Sequence, residues 1–181
     1  MSGKVIFHEK ENNHIEIYGE NYFGYFNKTR TCCRGIIINE GKILLSYETK
    51  TDQYMIPGGG LEEKESIEEC VVRELSEETG YLVEPTKYVL RIEEHYEDEK
   101  YIDEYFLCNI VGTSIRKLTR REKEVGMEPR WVEIKKAISM FSKYQDYALV
   151  DEMRRGLYQR EYIALNRIIN EELFVIKSLI L

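Results

Sequence analysis

Pro57-Gly58-Gly59-Gly60-Leu61 opens a stretch that runs on as EEKESIEECVVRELSEETG to Tyr81, and the fold is read outward from it. A glycine-rich turn delivers the backbone to Ser66. The Ser66 hydroxyl can cap the amide of Glu69 while the Glu69 carboxylate reaches back, the Ser-x-x-Glu pattern of a helix start. Gly80 supplies the stop. At 100° per residue Ile67, Val71 and Leu75 share one arc, and Glu74 and Glu78 fall about 20° either side of Ile67. A solvated acidic face would lie opposite that arc, but these carboxylates border it, with Glu77 close by. Repulsion and partial burial would raise their pKa values unless cations compensate. An oxygen-only donor set suits magnesium or manganese better than zinc.

The spacing Gly59-x5-Glu65-x7-Arg73-Glu74-Leu75-x-Glu77-Glu78-x-Gly80-Tyr81 resembles the signature of the Nudix hydrolases at every fixed position. Tyr81 departs from the usual aliphatic residue, and Lys64 stands where a glycine commonly precedes the first motif glutamate. Lys64 either alters the loop's φ preference or places a cation near a substrate phosphate. The resemblance implies an α/β fold, the Nudix α/β/α sandwich with a central mixed sheet. It implies hydrolysis of a nucleoside diphosphate linked to another moiety, with Mg2+ or Mn2+ as cofactor. Metal would be held by Glu74, Glu77 and Glu78, helped by Glu65 and the Gly59 carbonyl, and would activate the attacking water. Arg73 would orient the carboxylates. The base is either Glu74 or a loop glutamate before the Trp131 strand, Glu124 or Glu122. A catalytically silent nucleotide-binding module is the alternative, although such a module would be expected to have lost Glu77 or Glu78.

The 181 residues suit one domain with extensions, and 43% hydrophobic with 33% charged residues is ordinary for a folded chain. Of the net charge of −7, most is local, because the signature stretch is rich in glutamate. Without a basic tract, phosphate-driven nucleic-acid binding is not expected. The start lacks a signal-peptide core and no run reaches spanning length, so a cytoplasmic, membrane-free protein is expected. Cys32, Cys33, Cys70 and Cys108 have no metal-ligand spacing and read as reduced, packed thiols. A P-loop is excluded because no Lys-Ser or Lys-Thr follows the glycines.

In chain order, Lys4 to Phe7 and His14 to Tyr18 predict an N-terminal hairpin, and Tyr22 to Phe26 an aromatic segment that packs or covers a ligand. Cys33 to Ile38 and Lys42 to Tyr47 predict a hairpin across Asn39-Glu-Gly41. Arg34 falls where the family often contacts substrate, and equally suits a salt bridge. Lys87 to His95 and Tyr101 to Val111 predict a second strand pair. Members of the family that act on dinucleoside polyphosphates often carry a tyrosine near Tyr96; Glu97 replaces the proline common in ADP-ribose hydrolases. Arg116 to Gly126 reads as a charged loop, Pro129 to Ile134 as a strand, and Lys135 to Ser142 and Asp146 to about Asn170 as helices. The apolar tail Leu173 to Leu181 either docks on its own domain or makes a homodimer contact. The expected organisation is 1–30 as N-terminal extension, 31–142 as Nudix domain and 143–181 as C-terminal helical extension packed on it.

Overall fold

The computed structural model describes the backbone of residues 6–10 and 13–180 and the side chains of residues 13–170. The strands are β1 (Ile6–Lys10), β2 (His14–Tyr18), β3 (Lys28–Ile36), β4 (Ile38–Asn39), β5 (Lys42–Glu48), β6 (Gln53–Met55), β7 (Gly58–Gly60), β8 (Tyr81–His95), β9 (Glu99–Thr113) and β10 (Met127–Glu133). The helices are α1 (Ile67–Thr79), α2 (Arg120–Val125), α3 (Ile134–Phe141) and α4 (Glu152–Ile180), with a 3-10 turn at Tyr144–Tyr147. Six strands form one sheet in the order β1-β2-β8-β9-β3-β7, and a smaller sheet runs β10-β5-β4 with β6 beside β5. Parallel pairs (β2 with β8, β3 with β9) mix with antiparallel ones, as expected for a mixed sheet between helices.

Each layer follows from which faces are apolar. Val71, Leu75 and Cys70 of α1 pack with Cys33, Leu44, Val83 and Phe106 on one side of the sheets. Phe141 and Ala137 of α3 and Tyr158, Leu165 and Ile168 of α4 pack with Ile15, Ile36, Leu45 and Ile92 on the other. Full burial of one such aliphatic side chain stabilises the fold by about 1.5–3 kcal/mol. The hairpin β1–β2 is present and continues the large sheet through β8. All four cysteines are free and buried.

Several expectations need correction. The predicted hairpin of Cys33–Ile38 with Lys42–Tyr47 shrinks to Ile38–Asn39 against Ile43 and Lys42. The body of β3 pairs instead with β9 and β7. Residues 32–36 are buried on both faces, and a strand of that kind sits inside a sheet between two neighbours. The charged loop contains α2, closed by a Thr119/Glu122 capping box and by Gly126 in the left-handed conformation. The long helix begins at Glu152 rather than Asp146, because the Asp151 carboxylate accepts the Arg154 amide at 3.0 Å and starts the helix there. The backbone helix reaches Ile180, but the side chains of the apolar tail, and with them the choice between docking and a dimer contact, lie outside the described residues. No helix among the described residues is long and apolar enough to cross a membrane.

Candidate active site

The helix start forms as the sequence predicts. Ser66 accepts the Glu69 amide at 3.2 Å, the Glu69 carboxylate accepts the Ser66 amide at 2.8 Å, and Gly80 closes α1 at φ 78°. Ahead of it, Gly58 to Gly60 pair with Arg34 to Cys32 as a short edge strand. Gly58 has φ 144°, and a Cβ there would lie 2.1 Å from the Cys33 carbonyl oxygen. A Cβ on Gly59 would lie 2.5 Å from the nearer carboxylate oxygen of Glu74. Only glycines let the turn settle this closely against α1.

Arg73 organises the carboxylates around that turn. Its Nε donates to Glu65 Oε1 at 2.7 Å, Nη2 to Glu65 Oε2 at 2.9 Å and to the Gly60 carbonyl at 2.9 Å, and Nη1 to Glu74 at 2.7 Å. Glu77 lies 3.5 Å from the same Nη1. The Arg73 hydrogen bonds hold the Glu65 carboxyl down to about 2. Burial raises Glu74 above the usual carboxylate range, Arg73 opposes the rise, and Glu77 and Glu122 add to it. Glu78 is buried, accepts from Ser46 Oγ at 2.8 Å and the Gly58 amide at 3.2 Å, and is pushed up by burial to about 8. Buried carboxylates with raised pKa values sharing one site mark a place that gains from a bound cation.

Glu74, Glu77 and Glu78 lie together with Gly59 on the floor of one cleft of about 760 Å³, within the range of small-ligand sites. Glu65 is not among its lining residues; both its oxygens face Arg73, so it anchors the arginine. Arg34 and Tyr96 both line the cleft. Arg34 is nearly buried, with Nε ion-paired to Asp103 and Nη1 donating to the Ile56 carbonyl at 3.1 Å. The Tyr96 hydroxyl donates to Glu94 at 2.6 Å. Glu124 is exposed on α2, paired with Arg120 at 2.8 Å, and is not at the cleft. Glu122 is at the cleft, one oxygen capping the Thr119 amide at 2.8 Å. Lys64 adopts φ 67° and lines a separate depression with Glu63, Glu68 and Glu69 rather than the cleft.

Sequence reasoning missed the opposite wall. Met153, Arg154, Leu157 and Arg160 of α4 line the cleft, as do Arg30 and Glu48. Arg160 donates to Glu94 at 2.8 Å and to Asp103 at 3.3 Å, so α4 is tied to β8 and β9 beneath the cleft. Met153 and Leu157 are apolar positions of a helix legible in the sequence, but nothing local signals that this helix borders the cleft.

A second carboxylate group stands apart. One ligand atom each of His14, Glu16 and Glu93 fall within 4.8 Å of one another. Arg91 at 2.7 Å and Lys100 already neutralise Glu93, and none of the three lines the cleft.

The NUDIX domain profile matches residues 29–152, more than half of the chain. The chain belongs to the Nudix family. Of its signature residues, Gly59, Arg73, Glu74, Glu77 and Glu78 line the cleft, and family membership supports a hydrolase of pyrophosphate linkages. The Nudix hydrolase YvcI of Bacillus subtilis (strain 168) is 23% identical over 138 residues, 73% of this chain and 82% of its own length. YjhB of the same organism is 37% identical over 62 residues, 34% of this chain; the match spans only 30% of YjhB. Among solved structures, a NUDIX hydrolase from Nitrosomonas europaea superposes with a TM-score of 0.58 at 20% identity, over 80% of this chain and 88% of that one, a likeness of fold. The Nudix match ends at residue 152, so the α4 wall of the cleft is built almost wholly from chain beyond it.

Proposed function

We propose that this Nudix protein is a metal-dependent hydrolase that cleaves the pyrophosphate linkage of a nucleoside diphosphate joined to another moiety. The observation that carries the reading is that Glu74, Glu77, Glu78 and the Gly59 turn all line one cleft, together with six arginines. The donor set fits a hard divalent cation: it is all oxygen, partly buried, and built so closely that a Cβ on Gly59 would enter the Glu74 carboxylate. Glu74, Glu77 and Glu78 with the Gly59 carbonyl would hold it. A magnesium or manganese ion bound there supplies charge neutralisation for the diphosphate and lowers the pKa of a water.

The chain's own residues do the rest. Arg73 fixes Glu74 and Glu77 relative to the Gly60 carbonyl, so their oxygens are positioned before substrate arrives. Glu65 keeps Arg73 in place through two hydrogen bonds. Ser46 and the Gly58 amide orient Glu78 toward the turn. Glu122, the α2 carboxylate at the cleft, takes the proton from the attacking water, and one of its oxygens stays on the Thr119 cap. Tyr96, Met153 and Leu157 give the far wall an aromatic and apolar surface for the linked group.

The test is a panel of nucleoside diphosphate derivatives, nucleoside triphosphates and dinucleoside polyphosphates with magnesium or manganese, products being identified by phosphorus NMR. Turnover of at least one diphosphate-linked nucleotide, with two phosphorylated products, is the expected outcome. A protein that binds these compounds with metal and turns over none is the silent module instead.

A further inference from the structure

We propose that Arg30 receives the phosphate of the diphosphate that the carboxylate floor does not engage, a role resting on the pyrophosphate reading above. Residues 30, 32 and 34 of β3 share one strand face and all three line the cleft. The other cleft arginines are committed elsewhere. Arg34 is held by Asp103 and Ile56, Arg73 by Glu65, Glu74 and Gly60, and Arg121 by buried Glu48 at 3.0 Å. Arg154 donates to the Thr51 carbonyl at 2.6 Å, and Arg160 pairs with Glu94 and Asp103. The Arg30 side chain is exposed and makes no hydrogen bond or ion pair with the described residues.

Its position is set by the glycine turn. Nη2 of Arg30 stands 3.4 Å, and Nε 3.6 Å, from where a Cβ of Gly60 would be. The guanidinium therefore lies over Gly60, one residue along the turn from the Gly59–Glu74 contact. The carboxylates nearest to it on its own sheet are taken: Glu99 by the Tyr101 hydroxyl and by Lys28 at 3.5 Å, and Asp103 by Arg34 and Arg160. A diphosphate carries charge on both phosphorus centres, and a cation at the floor neutralises the one it touches. A planar guanidinium beside that floor, with its donors free, matches the oxygens of the second phosphate in a bidentate fork.

Titration calorimetry with magnesium pyrophosphate tests this on the full chain without relying on turnover. Wild type is expected to bind, Arg30→Ala to bind about 10- to 100-fold more weakly, and Arg30→Lys to recover part of the loss, since a point charge lacks the fork. Thermal midpoints should coincide, because Arg30→Ala breaks no bond within the fold, and Arg120→Ala, on the exposed side of α2, should bind as wild type does. Equal affinity of wild type and Arg30→Ala, or no binding by wild type, overturns the assignment. A protein that binds pyrophosphate through Arg30 yet hydrolyses no diphosphate would sink the hydrolase reading and leave the Arg30 subsite standing.

Discussion

Lys64 holds a backbone conformation at φ 67° that L residues adopt at a cost, in the loop that carries the chain from the glycine turn to the helix cap. Lys64 is not among the residues lining the cleft, and its conformation belongs to the turn. Lys64→Gly should remove about 1–2 kcal/mol of left-handed strain and cost part of that in unfolded-state entropy, a net gain of about 0.5–1 kcal/mol. Chemical denaturation should show a higher midpoint with unchanged slope; a lower midpoint would mean that the lysine side chain contributes more than its backbone costs. The departure from the glycine was legible in the sequence, and so was the φ question it raised. The direction of the side chain was not, because it depends on how the loop leaves β7.

At the scale of elements, α1 was legible to within a residue because its cap, stop and apolar arc all agree. The same Thr-x-x-Glu and Gly pattern frames α2, but six residues with no buried side chain carry no periodicity to set against a charged loop. That helix decides which glutamate meets the cleft. Residues 122 and 124 are 200° apart on a helix, so when Glu122 faces the cleft Glu124 faces solvent and Arg120. Glu122→Gln should lower the turnover number by about 10²- to 10⁴-fold, with metal affinity nearly unchanged and the cap retained, since the amide oxygen still accepts from Thr119. Glu124→Gln should turn over like wild type. The reverse ranking, measured under saturating metal, would place Glu124 at the reacting water and require α2 to turn on substrate binding.

Across the whole molecule, the cleft rests on a buried ionic network that joins the sheet to α4. Asp103 is fully buried between Arg34 and Arg160, Glu94 shares Arg160, and Tyr105 donates to Glu161 at 3.2 Å. The pairing of these charges was not legible in the sequence because the partners are distant in the chain: Arg160 lies 66 residues from Glu94 and 57 from Asp103. Long-range pairing of this kind has no periodic signal, whereas the signature stretch is local and was read almost completely. Burial alone would raise the Asp103 carboxyl; Arg160 and Arg34 more than offset it and hold the folded pKa below the ordinary value. A depressed carboxyl contributes stability that is fully present above the unfolded pKa of about 3.9 and is lost as pH falls through the folded value. Asp103→Asn should therefore cost about 3–5 kcal/mol near neutrality by leaving buried arginines underpaired. The gap between wild type and variant in thermal midpoint should then narrow only below about pH 4. A gap that is constant from pH 7 to 3 would remove the ionic contribution.

In the proposed reaction the carboxylates on α1 act through a divalent cation on a pyrophosphate bond. Hydrolysis of the best nucleotide substrate in ¹⁸O-labelled water, by wild type and by Glu77→Gln, with magnesium and with excess chelator, tests it most directly. Expected are ¹⁸O in one phosphate product, no turnover with chelator, and a rate lower by orders of magnitude for Glu77→Gln with its circular dichroism spectrum intact. Undiminished turnover in chelator, or a Glu77→Gln rate equal to that of wild type, would contradict it.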